Sequence, residues 1–306
     1  MTEDTAKRKH SNSYNENVWI RLFAADGSSR KFEDNNMTVQ EIINLILDSI
    51  GGGRHICPTC DVLACGDPDM EVTGIVTTFM PTVEVIRRTI ECGANFIVSH
   101  EPTWFNGSDE TEWCQNDSVY LAKKQLLEEN HIAVWRFHDH MHFGTNIDYI
   151  YRGIIQELGW RAYLQDDEKE PWVYEIPATT LKDLAEWLKK TFEMDEIRTV
   201  GNPDCPITRA GLLVGGGSLG LGREVMPMEV MERNNLNVLI CGDITEWTTV
   251  AYIRDASQLG MNRCMIHLGH ERTEEPGMKY LPLYLKPYIH NIPISFISSE
   301  EPYTYF

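Results

Sequence analysis

Long apolar runs and an excess of positive charge are both missing from this sequence. No segment approaches the roughly 20 apolar residues needed to cross a bilayer, and residues 1–19 lack the apolar region of a secretory signal. We therefore expect a cytosolic protein with no membrane contact. Lys and Arg number 27 against 46 Asp and Glu, and the resulting formal charge of −19 disfavours nucleic acids and anionic lipids as partners. Small molecules or protein partners are expected instead.

The phosphate-binding signature G-x-x-x-x-G-K-[ST] is absent too, as are internal repeats and low-complexity tracts. With 42% hydrophobic and 10% aromatic residues, the 306 positions are enough for one large domain or two smaller ones.

The eight cysteines are scattered, which is typical of reduced thiols. Cys57 and Cys60 form a C-x-x-C pair near Cys65. The pair is a redox site, half a zinc site or a structural turn, and we favour the turn.

Strands and helices alternate along the chain from residue 37 onward. Thr38 and Glu41 form a capping-box pattern that opens the first helix, in residues 37–50. Hydrophobic periodicity then predicts strands at 72–79, 95–100, 131–138, 172–178, 197–201, 209–214, 237–243, 263–270 and 294–298. The segments between them have helical spacing, including one that follows residue 145 and one that begins near Thr273.

This alternation predicts an α/β protein with largely parallel or mixed sheets. Residues 1–36 are polar and weakly periodic, so we interpret them as an N-terminal extension with a short strand pair around a turn at Asp26–Gly27. The polar interval at 161–170 predicts a boundary. It separates a unit made of 37–160 and 236–306 from a second unit, 161–235.

Metal-ligating side chains follow two of the predicted strands. His100 and Glu101 come where one strand ends, so both side chains can turn toward the same ion. If the next strand continues, His138, His140 and His142 lie on one face at roughly 6–7 Å spacing, which is a poor core face and a good metal face. Each set alone is also typical of an exposed or packed strand end.

A third set follows the strand near residue 265. His270 lies at the entrance of the next helix, and Glu274 rises only about 6 Å further along its axis, so both can face one ion. An acidic first turn accounts for the glutamate but not for the histidine. Three strand ends of one α/β unit therefore predict a centre for divalent cations.

Four segments together resemble the Nif-three-like dinuclear metal proteins, often called the type 2 family of GTP cyclohydrolase I. They are GIVTTFMPTVEVIRRTIECGANFIVSHEPTWF, CGDITEWTTVAYIRDASQLGMNRCMIHLGHERTEEPGM, CDVLACGDPD and RAGLLVGGGS. The resemblance covers approximately residues 37–306. It implies a two-part α/β fold with mixed sheets flanked by helices, a homohexameric ring, and two divalent ions (zinc, iron or manganese) at strand ends.

The resemblance also assigns ligand positions. It implies that His100, His270 and Glu274 hold metal. Glu101 stands where the family has its second histidine. His142, counted along the strand that contains His138, stands where the family has an aspartate, and Asp148 is a competing candidate for that aspartate role.

Supporting and acid–base roles are implied for further residues. Asp243 and Glu246 match a segment that approaches the metals of the family, although a helix start would use the same residue types. Asp61 is a weaker supporting candidate. The glycine run 215–217 permits close backbone approach, or is simply a tight turn.

The predicted function is metal-dependent hydrolysis of a small, anionic substrate, such as a nucleotide or a cyclic amide or amidine, with Glu101, Asp243 or Glu246 moving protons. GTP ring opening is implied by the family name alone. The H-D-H-M-H segment is also typical of amidohydrolase-like enzymes, but these are TIM barrels and the chain has too few β-α units. A non-catalytic metal-binding scaffold or regulatory protein stays open as the alternative.

Overall fold

The computed structural model describes residues 37–53, 56–165 and 172–306. The predicted extension at 1–36, with its strand pair, lies outside the described residues, as does half of the interval 161–170. From Asn36 onward the chain forms one compact unit.

Five strands of the described chain form the first sheet: β1 (Leu63–Cys65), β2 (Ile75–Thr78), β3 (Phe96–Ser99), β4 (Ala133–Arg136) and β10 (Ile294–Phe296). Their spatial order is β1-β4-β3-β2-β10. Neighbours run parallel except for β1, which pairs antiparallel with β4 at one edge. Strands β2, β3 and β4 are buried along their whole length, as expected for parallel strands covered on both faces.

A second sheet contains β5 (Val173–Thr180), β6 (Arg198–Val200), β7 (Pro206–Leu213), β8 (Val238–Cys241) and β9 (Cys264–His267). The order is β5-β7-β8-β9-β6. Strands β7, β8 and β9 are parallel, and the edge strands β5 and β6 are antiparallel to their neighbours. The predicted α/β class with mixed sheets is therefore confirmed.

The strand pairing divides the chain differently from the predicted units. The sequence prediction places residues 236–306 with the first unit, but β8 and β9 pair in the second sheet, and only β10 returns to the first. The reason is that β7, β8 and β9 follow one another through crossover helices, and such consecutive parallel strands usually stay in one sheet.

Helices cover the sheets. In the described residues they are α1 (Val39–Ser49), α2 (Val83–Glu91), α3 (Ser118–Glu129), α4 (Asp139–Phe143), α5 (Tyr149–Leu158), α6 (Leu181–Thr191), α7 (Met226–Arg233), α8 (Ala251–Gln258) and α9 (His270–Leu285). The capping box predicted at Thr38 and Glu41 is present at the start of α1. No helix in this part of the chain has the length and apolar character needed to span a bilayer.

The segment that contains the alternating histidines differs from the prediction. It forms helix α4, not a continuation of β4. The physical reason lies elsewhere in the chain, because the backbone N–H groups of His138, Asp139 and His140 donate to the carboxylate of Asp61. Three amides directed at one carboxylate turn the backbone into a helical turn.

Two other elements differ from the prediction. Strand β1 was not predicted, because its three residues are too few for a periodic pattern. Helix α9 begins at His270, three residues before the predicted start at Thr273. Other predicted elements within the described residues are found close to their expected positions.

One apolar core joins the two sheets. It contains Phe96 and Trp135 from the first sheet and Tyr174, Leu212 and Ile266 from the second. Two smaller clusters cover the opposite faces of the sheets. Successive strand residues alternate between these cores, so each sheet is covered on both sides.

Helix α9 connects the two sheets. It begins directly after β9 of the second sheet and packs against β2 and β10 of the first. There the Thr77 hydroxyl donates to the carbonyl of Met278 over 2.9 Å. The N-terminus of α9 is therefore held where the two sheets meet.

Helices α5 and α9 approach each other unusually closely. A Cβ added to Gly153 of α5 would lie 2.4 Å from both the Cα and the backbone nitrogen of Gly277 in α9. No side chain fits at that distance, so the two glycines set the spacing of the helices.

We expect Gly153→Ala to lower the free energy of unfolding by about 1–3 kcal/mol, because the added methyl group overpacks the α5–α9 contact. Chemical denaturation of the full chain measures this. Gly107→Ala is the matched control, since an added Cβ there meets nothing within 4 Å. Equal effects of the two substitutions would contradict the role of the close approach.

Candidate metal centre

The predicted site residues follow the carboxyl ends of parallel strands. His100 follows β3 and His138 follows β4 in the first sheet, while Asp243 and His270 follow β8 and β9 in the second. Loops at these strand ends form the binding crevice of open α/β sheets. Loops from both sheets contribute here because α9 passes from one sheet to the other at this point.

The carboxylate of Glu274 lies at the centre of the group. Its Oε2 is 2.9 Å from His270 Nε2 and 3.3 Å from His100 Nε2. Glu274 follows His270 by one turn of α9, so their side chains share a helix face. Burial opposes ionisation, but the two imidazoles outweigh it and hold the pKa of Glu274 well below its usual range.

His100 is fully buried and has one unsatisfied ring nitrogen. Its Nδ1 lies 3.3 Å from the carbonyl of Phe137, whereas Nε2 faces Glu274 without hydrogen-bond geometry. Burial, with His138 nearby, lowers the pKa of His100 and keeps the imidazole neutral. A neutral, buried nitrogen without a hydrogen-bond partner is suited to bind a metal ion.

Glu101 contacts the same nitrogen of His270 as Glu274 does. Its Oε1 is 3.2 Å from His270 Nε2, and its Oε2 is 3.5 Å from Nη2 of Arg136. Arg136, buried in β4, also donates to the carbonyls of His100 and Gly107. Sequence reasoning missed this arginine, because a charged residue inside a strand gives no sign of its partner. It orients Glu101 toward the other ligands.

His138 and His142 complete a set of three imidazoles with His100. The ring centroids are 4.5 Å apart for His100 and His138, 5.1 Å for His100 and His142, and 5.0 Å for His138 and His142. Helical spacing in α4 brings positions 138 and 142 together. His140 instead contacts Asp61, whose Oδ2 is 2.6 Å from its Nδ1. The prediction that the three alternating histidines share one face is therefore wrong.

Asp148 supports His142 from behind. Its Oδ2 is 2.8 Å from His142 Nδ1, and its Oδ1 accepts from the backbone N–H groups of Ile150 and Tyr151 at the start of α5. Burial disfavours a charged His142, but Asp148 outweighs it and raises the pKa to about 9. Of the two candidates for the aspartate position of the family, His142 is the one that belongs to a ligand group in the described chain.

Asp243 holds His270 from the side opposite Glu274. Its Oδ2 is 2.9 Å from His270 Nδ1. Burial disfavours the imidazolium, but Asp243, Glu101 and Glu274 outweigh it and raise the pKa of His270 to about 12. This concentration of negative charge attracts a cation. Glu246, the other predicted acid–base residue, is exposed, and no site contact among the described residues includes it.

A carboxylate that sequence reasoning missed supports His138. Asp139 Oδ1 lies 3.0 Å from His138 Nδ1, and Oδ2 accepts from Thr59 Oγ1 and from the backbone N–H of Cys60, both at 2.9 Å. The contact with His138 and these donors hold the pKa of Asp139 well below its usual range. The C-x-x-C segment thus packs against the site, and Cys57 and Cys60 are both free thiols.

The glycine-rich turn after β7 approaches the ligands closely. At Gly215, where φ is +44°, an added Cβ would lie 1.8 Å from Glu274 Oε1 and 2.7 Å from His270 Nε2. A Cβ added to Gly216 or Gly217 would meet nothing within 4 Å. Only the first glycine of the predicted run therefore needs to lack a side chain.

A cavity of about 390 Å³ opens beside His270. Its apolar lining includes Phe79 and Tyr303. Carboxylates dominate the charged lining: Glu101, Asp243, Glu300 and Glu301, against Arg272 and His270 as cations. Burial raises the pKa of Glu271 to about 8, so this residue adds little charge at neutral pH. Negative charge therefore surrounds the approach to the ligands.

The possible ligand atoms fall into groups whose members lie within 4.8 Å of one another. Two groups of the described residues share a histidine: His100, His138 and His142 in one, and His100, Glu101 and Glu274 in the other. His270 contacts the second group through Glu101 and Glu274. The six residues predicted as metal ligands thus lie at one place in the fold.

Comparison with known proteins gives the same family as the motifs. The family model Duf34/NIF3 (NGG1p interacting factor 3) matches residues 60–302. A Clostridium acetobutylicum protein named "GTP cyclohydrolase 1 type 2 homolog" is 26% identical over 247 residues, which cover 76% of this chain and 84% of that protein.

Two solved structures share the fold. A Bacillus cereus protein related to NIF3 superposes with a TM-score of 0.68 at 15% identity, and Staphylococcus aureus protein SA1388 with 0.66 at 19%. Each match covers 89% of this chain and 100% of the other. Because the family model spans most of the sequence, the chain belongs to the DUF34/NIF3 family.

Proposed function

We propose that this protein is a metal-dependent hydrolase that binds two divalent cations. The ligands are His100, Glu101, His138, His142, His270 and Glu274. The observation that carries the proposal is the pair of three-ligand groups that share the buried His100. His100 would coordinate one ion through Nε2, and the second ion would take the carboxylates of Glu101 and Glu274 with His270, so the two adjoining groups suit two neighbouring ions.

The residues present fit such ions. His100 Nε2 is buried without a hydrogen-bond partner, and the missing side chain of Gly215 leaves room for Glu274 and His270. Ion binding would displace the protons of His142 and His270. Four neutral imidazoles and two carboxylates would then carry two negative charges, so two divalent ions would leave two positive charges for water and substrate. This nitrogen and oxygen set suits zinc, iron or manganese.

Bound ions of this kind supply a hydroxide nucleophile near neutral pH and polarise the bond under attack. The protein's own groups orient the ligands and carry protons. Arg136 holds one oxygen of Glu101, and Asp243 holds His270 by its Nδ1. The carboxylate of Asp243 is 41% exposed and lines the cavity, so it is placed to accept a proton from a molecule bound there.

The cavity limits the substrate to a small molecule. A volume of about 390 Å³ suits a nucleoside or a cyclic amide or amidine. The predicted anionic substrate is attracted by the ions and by Arg272, but the carboxylates of the wall, Glu101, Asp243, Glu300 and Glu301, repel further negative charge. A nucleoside or cyclic amide therefore fits this wall better than a triphosphate. The homohexamer and the cytosolic location stay predictions.

Turnover by the metal-loaded chain tests the proposal. Protein reconstituted with zinc, iron or manganese is screened against cyclic amides, nucleosides, nucleotides and phosphoesters. We expect hydrolysis of at least one class, and a loss of at least about 100-fold in Glu274→Gln, because a direct ligand matters no less than the groups that support it. Two bound ions without turnover would favour the scaffold alternative, and equal rates in both proteins would indicate a contaminant.

The glycine turn provides a steric test. We expect Gly215→Ala to displace the Glu274 carboxylate and to remove at least one bound ion per chain, because the added Cβ overlaps Oε1. Elemental analysis after reconstitution measures the ion count. Gly216→Ala has open space and should keep the full complement. Unchanged metal content in Gly215→Ala would contradict the arrangement.

The charge behind His142 provides an electrostatic test. Asp148→Asn keeps a good helix cap for α5 but removes the negative charge beside Nδ1. We expect metal affinity to fall by about 10–100-fold in a competition titration with a chelator. Asp117→Asn, at the equivalent cap of α3, is the control and should leave affinity unchanged. Similar losses in both variants would mean that helix stability, not ligand support, sets affinity.

A further inference from the structure

A further set of ligand atoms lies on the outer side of His138. Cys60, His138 and Asp139 each offer one atom, and these atoms lie within 4.8 Å of one another. We call them the Cys60 cluster. Asp139 Oδ1 is 3.0 Å from His138 Nδ1 and 3.3 Å from Cys60 Sγ. A thiol, an imidazole and a carboxylate thus converge at the edge of the six-residue centre, with which they share His138.

The surrounding loop fixes the direction of the carboxylate. Thr59 Oγ1 and the backbone N–H of Cys60 both donate to Asp139 Oδ2. The other oxygen, Oδ1, is left facing the thiol and the imidazole. The two donors come from the C-P-T-C segment, whose role the proposed hydrolase leaves unexplained. Ligands held in this way need little rearrangement to bind an ion.

Two of the three ligand–ligand distances are close to those of a tetrahedral site. With bonds of about 2.0 Å to nitrogen or oxygen and 2.3 Å to sulfur, neighbouring ligand atoms around zinc are roughly 3.3–3.5 Å apart. The observed 3.0 Å and 3.3 Å need to widen by only a few tenths of an ångström. The side chains of His138 and Asp139 are 25% and 20% exposed, so an ion can enter and keep a water ligand.

We propose that Cys60 Sγ, His138 Nδ1 and Asp139 Oδ1 form an additional site for a thiophilic divalent cation such as zinc. Binding replaces the thiol proton, which otherwise donates to Asp139, and releases it to solvent. The hydrogen that His138 Nδ1 directs at Asp139 moves to Nε2, which leaves a neutral imidazole with Nδ1 free for the ion. A neutral imidazole coordinates through one nitrogen only. If ions lie on both sides of His138, the ring loses its remaining proton and bridges them as imidazolate. Cation binding at the Cys60 cluster does not require an ion at the six-residue centre.

Cobalt substitution tests this site. Metal-free protein is titrated anaerobically with Co(II), and near-ultraviolet absorption is followed, because thiolate-to-cobalt charge transfer requires a bound sulfur and imidazole–carboxylate sites lack it. We expect this band in the wild-type chain and its complete loss in Cys60→Ser, with one fewer ion per chain. Cys65→Ser, which alters another partly buried free thiol, should keep both the band and the ion.

Two other variants separate this site from the proposed hydrolase centre. Glu274→Gln weakens the six-residue centre and should keep the thiolate band, so failure of the hydrolase proposal leaves this test intact. In Asp139→Asn, the Co(II) affinity measured from the charge-transfer absorption should fall by at least tenfold. This variant tests the site if Cys60→Ser fails to fold. No band in the wild-type chain at saturating Co(II), or a band that survives in folded Cys60→Ser, would overturn the proposal.

Discussion

The buried carboxylate of Glu274 is the constraint on which the rest of the site depends. A charge with only 4% of its side chain exposed is tolerated because His100 and His270 lie beside it. Those two histidines follow strands of different sheets, so the carboxylate ties the two sheets together chemically as well as sterically. Gly215 completes the arrangement, since any larger residue would occupy the space of the carboxylate.

Most of the fold was predictable because its elements carry strong local patterns. Parallel strands such as β2 and β3 are short apolar runs between helices with capped N-termini, and both signals are readable without tertiary information. Helix α4 was not predictable, because Asp61, far away in sequence, supplies the acceptor for its first backbone N–H groups. Strand β1 depends in the same way on its partner β4. Local pattern cannot reveal an element that another segment creates.

The same distinction separates the visible and hidden parts of the site. His270 and Glu274 were recognisable because one helical turn relates them, and His100 because a strand ends there. Arg136 and Asp139 were hidden, because their importance lies in contacts with Glu101 and with the C-x-x-C segment. The residues that can bind a cation could be predicted from the sequence. The neighbouring residues that orient them could not.

The glycine contact between α5 and α9 has a consequence for protein engineering. Asp148 caps one of these helices and Glu274 lies on the other, so their fixed spacing transmits any shift of one helix to the other. Grafting α9 from a relative without its own α5 would therefore misalign the two carboxylates. A chimaera of this fold has to exchange the helices as a pair.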